Sequence, residues 1–107
     1  MTAYGAIQRR RHLNTYEALF LLRPDLEKEE EDRLLDSIQK EIAKQDGQLR
    51  GAQNLSKKPL AYPIKGHKEG LYYLVNFEAP ADAIKSLRNA FKLNNSILRN
   101  LILKKGG

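Results

Sequence analysis

Leu71-Tyr-Tyr-Leu-Val-Asn-Phe-Glu78 is the stretch whose reading decides the fold. Side chains of an extended chain alternate between two sides, so Leu71, Tyr73, Val75 and Phe77 form one face and Tyr72, Leu74, Asn76 and Glu78 the other. The first set is wholly apolar and is assigned to a core. The second puts a tyrosine and a leucine on the far side. Downstream, Pro80 and Ala81 open a helix through about Phe91, with Ile84, Leu87 and Phe91 at i, i+3 and i+7 and Asp82 in its first turn. Asn94-Asn95 breaks that helix, and Ile97 to Leu103 reads as a last strand.

Upstream, Lys65 to Gly70 reads as a polar connection with two glycines, preceded by a long extended stretch from Gln48 to Ile64. Its alternation is weak, and Pro59 and Pro63 cannot donate to a ladder. The stretch therefore belongs at a sheet edge, bent or bulged. From Glu27 to about Gln45 the period is helical: Leu34, Leu35, Ile38 and Ile42 share a face. Glu27, Glu29, Glu30, Glu31 and Asp32 crowd the start of this helix and Lys40 and Lys44 its end, as the helix dipole favours. Asp46-Gly47 stops it, with Gly47 expected to take the left-handed conformation. Asn14 to Leu22 is the first strand, with Tyr16, Ala18, Phe20 and Leu22 on one face. Its other face, Glu17, Leu19 and Leu21, is too apolar for open water, so the strand is central or meets a partner. Arg23-Pro-Asp25 ends it, because proline constrains its predecessor and leaves the ladder.

Strand, helix, strand, strand, helix, strand is a split βαβ order. The predicted class is α+β: a ferredoxin-like βαββαβ sandwich, a four-stranded antiparallel sheet with both helices on one face and strands one and three central. The opposite face is bare and carries Leu19, Leu21, Tyr72 and Leu74, so function is sought there. One domain is expected over residues 14–105, preceded by a flexible basic arm at 1–13 and followed by a short end at 106–107.

Composition narrows the function classes. The 107 residues hold 19 Lys and Arg against 13 Asp and Glu, a net charge of +6, and the distribution is uneven. Residues 1–13 carry +3; residues 14–46 have five basic and ten acidic side chains, −5; residues 48–107 have eleven basic and three acidic, +8. Such a division attracts a polyanion to one side and leaves the acidic segment to solvent or to a basic protein. There is no cysteine, hence no thiol nucleophile, disulfide or thiolate metal site. No apolar run approaches the roughly 20 residues that span a bilayer, so no membrane partner is expected. Arg9, Arg10, Arg11 and His12 lack a following apolar run, so no secretory signal is read there.

The sequence holds no GxGxxG, P-loop or HExxH pattern, and no serine stands in a recognisable triad. No enzyme activity, metal, cofactor or small-molecule substrate is expected. An acylphosphatase-like phosphate loop would have to be Arg23-Pro-Asp-Leu26, which lacks glycine and sets an aspartate beside the anion. Basic groups suit RNA phosphate better: Arg50, Lys57 and Lys58 on the second strand, Lys65 in the turn, Arg88 and Lys92 on the second helix, and Arg99 on the last strand. Tyr72 could stack on a base, but Gly70-Leu-Tyr-Tyr-Leu-Val-Asn-Phe77 lacks the arrangement of the usual RNA-recognition signature. Packing of Tyr72 and Leu74 against a protein, or shape recognition of folded RNA, is preferred.

Several of these segments together resemble a known family. They are Tyr16-Glu17, Arg23-Pro-Asp-Leu26, Leu60-Ala-Tyr-Pro-Ile64, Gly70 leading into the aromatic strand, Pro80 and the closing aliphatic strand. They resemble bacterial-type ribosomal protein S6 of the small subunit over about Asn14 to Lys104. The resemblance implies a ferredoxin-like fold and binding to the central domain of small-subunit rRNA together with ribosomal protein S18, in cytoplasmic or organellar ribosomes. It points to Lys57, Lys58, Arg88 and Arg99 on the RNA side, and to the second-strand edge at Leu60, Ala61 and Tyr62 on the protein side. The chain departs from many members in the arm ahead of strand one and in the short end after Lys105. Two other classes stay open here: a ferredoxin-like regulatory module that dimerises and binds a metabolite, and an acylphosphatase-like enzyme.

Overall fold

A computed structural model describes residues 12–106. The predicted arm at 1–13 lies outside them, apart from His12 and Leu13. Strands β1 (Asn14–Leu22), β2 (Gln48–Ile64), β3 (His67–Ala79) and β4 (Ile97–Lys105) form one antiparallel sheet in the order β2-β3-β1-β4. Helix α1 (Lys28–Lys44) joins β1 to β2. A 3-10 turn (Ala81–Ala83) and helix α2 (Ile84–Lys92) join β3 to β4. This is the expected ferredoxin-like order, with β1 and β3 central.

The register explains the single core. Tyr16 faces Phe77, Ala18 faces Val75, Phe20 faces Tyr73 and Leu22 faces Leu71, so every alternate pair of the two central strands points the same way. Leu34, Ile38 and Ile42 of α1 and Ile84, Leu87 and Phe91 of α2 join these residues in one buried cluster. Both helices therefore cover the same face. Ring contacts fix the packing: Phe20 meets Phe91 edge-on at 5.0 Å and Tyr16 stacks on Phe77 at 5.5 Å between centroids. At the start of α1, Glu30 accepts a hydrogen bond from the Glu27 backbone N–H at 3.0 Å, so part of the acidic crowd serves as a cap.

Three local readings need correction. β3 begins at His67, so the connection before it is the two-residue turn Lys65-Gly66, at φ 49° and 85°. Positive φ at both central positions suits a tight hairpin. β4 continues to Lys105. At the end of α1 the left-handed residue is Asp46, at φ 64°. Gly47 instead serves close approach, since a Cβ there would lie 2.6 Å from the Glu78 carbonyl oxygen and 2.8 Å from Ile42 Cγ2.

β2 is an edge strand, as its prolines imply, and it is irregular. Its pairing with β3 shifts at Leu49/Gly51, at Asn54/Ser56 and between Pro59 and Ile64. Pro59 faces Glu69 and Ile64 faces His67, so Leu60-Ala-Tyr-Pro63 bulges out of the ladder. β1 ends opposite Leu71, and the β2–β3 ribbon beyond that point projects from the sheet body. At the middle irregularity Ser56 adopts φ 81°. Asn54 holds it there: its Oδ1 accepts from the Ser56 N–H at 2.7 Å, while its Nδ2 donates to Glu31 of α1 at 2.9 Å.

Candidate protein and nucleic-acid interface

The face without helices is shaped, not flat. Leu21 belongs to it by register, yet it is only 5% exposed, and Leu19, Tyr72 and Leu74 are half-buried. The bulged end of β2 bends over this face and closes one side of a groove of about 440 Å³. Leu19 and Leu21 of β1, Tyr72 of β3, and Arg99, Asn100 and Leu101 of β4 line it from below. Leu60, Ala61, Tyr62 and Ile64 supply the overhang. Tyr62 crosses the width of the sheet to reach the other edge, where the Arg99 guanidinium lies 6.0 Å from its ring centroid. That is the outer limit of a cation–π contact.

Gly70 makes the floor possible. A Cβ there would run into Leu21 Cδ1 and lie 3.1 Å from Leu21 Cγ and 3.3 Å from the Leu22 carbonyl oxygen. Its backbone conformation is ordinary; the absent side chain is what matters. Further along the same face Leu101 and Leu103 of β4 are 52% and 53% exposed, so apolar surface continues to the open edge.

Four of the five residues predicted for a protein partner, Leu60, Ala61, Tyr62 and Tyr72, come together in the groove. Leu74 lies one rung away, paired with Leu19 on the same face. The seven cations predicted for RNA do not make one patch. Arg50 sits at the first β2 irregularity. Lys57 and Lys58 occupy adjacent positions of the ribbon, opposite Leu71 and Gly70, and so project to its two sides. Lys65 is in the hairpin turn, Arg88 and Lys92 are on α2, and Arg99 is in the groove. All seven are exposed, and among the described residues no ion pair engages them. Of the cations in the second half, Lys105 alone pairs there, with Glu17 at 4.0 Å.

Arg23 Nε lies 3.5 Å from Asp25 Oδ1, so a carboxylate rather than an open anion site adjoins this guanidinium. Lys28 is raised above its ordinary pKa by its hydrogen bond with Asp32, a surface pairing on α1. Burial, followed by the nearby Glu31 carboxylate, raises the Tyr73 phenol. Neither group faces the groove lining. Sequence reasoning missed Leu101 and Asn100 as lining residues, because edge-strand alternation does not reveal what an overhang from the opposite edge will reach.

A sequence model described as Ribosomal protein S6 matches residues 15–104. The chain belongs to the ribosomal protein S6 family. Curated relatives agree along nearly the whole length. The small ribosomal subunit protein bS6 of Caldanaerobacter subterraneus subsp. tengcongensis is 32% identical over 92 residues, covering 86% of this chain and 97% of that one. The protein of the same description from Gloeobacter violaceus is 36% identical over 89 residues, covering 83% and 93%. The crystal structure of 30S ribosomal protein S6 from Thermotoga maritima superposes with a TM-score of 0.79 at 23% identity, over 88% of this chain and 89% of that one. It supports the ferredoxin-like fold of this S6-family chain.

Proposed function

We propose that this chain is a structural constituent of the small ribosomal subunit, binding the central domain of its rRNA together with ribosomal protein S18. The observation that carries the reading is an apolar groove suited to protein on a chain whose seven candidate cations, exposed and dispersed over the strands, the hairpin turn and α2, have no ion pair among the described residues and suit RNA phosphate. Membership of the S6 family and relatives described as small-subunit proteins support it. The groove, with Leu60, Ala61, Tyr62 and Tyr72, and Leu74 beside it, takes the protein partner. Arg50, Lys57, Lys58, Lys65, Arg88, Lys92 and Arg99 serve phosphate. An irregular floor of Leu19, Leu21 and Tyr72 under Tyr62 matches side-chain anchors better than the flat stacking platforms on which bases rest.

Lys57 and Lys58 give the direct test. Replacing both with glutamate should weaken binding to a central-domain transcript at low salt. It should also make the dependence of log affinity on log salt shallower by about 1.5, since each lost phosphate contact removes roughly 0.7–0.9. The fold should stay cooperative, because both side chains are exposed. Unchanged affinity and slope would remove these lysines from the RNA surface.

A further inference from the structure

The two helices lie side by side on the sheet, yet they treat their lysines differently, although Arg33 of α1 also has no ion pair among the described residues. α1 neutralises its lysines internally: Lys28 pairs with Asp32 at 2.9 Å, Lys40 with Asp36 at 3.1 Å and Lys44 with Glu41 at 3.6 Å. α2 carries Lys85, Arg88 and Lys92 at i, i+3 and i+7, a single stripe, and contains no acidic residue. All three are exposed, while Ile84, Leu87 and Phe91 of the same helix are buried. No ion pair among the described residues reaches them. Like charges three and four residues apart destabilise a helix. The helix dipole favours Lys92 in the last turn, but no acidic residue of α2 offsets the repulsion among the three.

We infer that this flank of α2 is a phosphate-binding strip, on which Lys85, Arg88 and Lys92 follow the backbone of the small-subunit rRNA while α1 faces away from it. The inference rests on the rRNA reading above and adds Lys85, together with the side of the helix layer that meets RNA. At 1.5 Å of rise per residue the outer cations stand about 10 Å apart along the axis, enough to touch successive phosphates rather than one. Arg88 in the middle can hold a phosphate bidentately. Ser86 and Asn89, also exposed, are hydrogen-bonding groups of the kind that contact phosphate and sugar. The stripe itself holds no apolar anchor of the sort a protein hot spot needs, which favours RNA over an acidic protein.

Two charge-matched variants test it, with a central-domain rRNA transcript and S18 in excess. In one, Lys85, Arg88 and Lys92 all become Gln; in the other, Lys28, Lys40 and Lys44 do. Both lower the net charge by the same amount, and circular dichroism checks that each is folded. The α2 variant should make the salt slope shallower by about 2–3, from roughly 0.7–0.9 per contact, and the α1 variant should bind as the wild type does. Equal losses from both would mean net charge alone matters and would overturn the strip. A wild-type slope for the α2 variant would overturn it too, leaving the broader reading intact. Absence of wild-type RNA affinity would sink both.

Discussion

Replacing Gly70 with alanine should destabilise the fold by about 1–2 kcal/mol, whereas the same change at Gly51 should stay within about 0.5 kcal/mol. Both glycines are strand residues at ordinary φ, so backbone strain does not separate them. Space does. A methyl at Gly51 meets nothing within 4 Å, while one at Gly70 meets Leu21 Cδ1, with the Leu22 carbonyl 3.3 Å behind. Leu21 is 5% exposed and can yield only into the groove, at the cost of its own packing. Overpacking of this kind costs about 1–3 kcal/mol, offset in part by the roughly 0.4–1 kcal/mol that a Gly-to-Ala change gains through the unfolded chain. For a domain near 100 residues, 1 kcal/mol moves the midpoint by about 4–8 °C, so thermal melting followed by circular dichroism should show a drop on the order of 5–15 °C for Gly70→Ala. Gly51→Ala should melt close to the wild type. The displaced floor should also weaken S18 pairing in the Gly70 variant. Equal melting points for the two variants would refute this account of the groove.

Further changes probe other parts of the structure. Gly47→Ala should cost about 1–3 kcal/mol in urea unfolding, because its Cβ meets the Glu78 carbonyl, a backbone atom that cannot turn aside. A stability within error of wild type would show the close approach to be slack. Asn54→Ala removes the acceptor of the left-handed Ser56 N–H and the tie to Glu31, both exposed, and should cost about 0.5–1.5 kcal/mol. Tyr62→Ala combined with Arg99→Gln should weaken S18 binding by at least ~1 kcal/mol in calorimetry with little change in melting temperature. Unaltered binding would exclude the overhang from the partner surface. The raised pKa of Tyr73 means the folded state holds the phenol proton more tightly than the unfolded chain. Its contribution to stability is then complete below pH 10, the ordinary value, and is lost as pH rises through the folded value. Tyr73→Phe should flatten the fall in alkaline melting temperature; an identical alkaline profile would contradict the assignment.

The elements legible in the sequence were those with a face to bury. β1, α1, α2 and the bounds of β2 follow from apolar period and from breakers such as Pro24 and Gly47, and the crossover rule then orders the sheet. What alternation could not show is a ladder that leaves the core. His67 to Gly70 pair with β2 in a ribbon beyond β1, where apolar residues are not required, so their polarity reads as a connection. Gly47 illustrates a related limit, since close approach to β3 is a tertiary fact with no local sign. The groove was half visible. Leu19, Leu21, Tyr72 and Leu74 announce an apolar open face, but the reach of Tyr62 to Arg99 depends on four residues bulging from an edge strand. Arg88 and Lys92 of α2 were legible as candidate cations, whereas Lys85 joins them only once the helix is placed on the sheet.

The proposed joint binding of rRNA and S18 is tested most directly by the affinity of the wild-type chain for a central-domain rRNA transcript, titrated across salt with and without S18. The expected outcome is tighter binding when S18 is present and a steep loss of affinity as salt rises. Affinity that ignores both S18 and salt would contradict it.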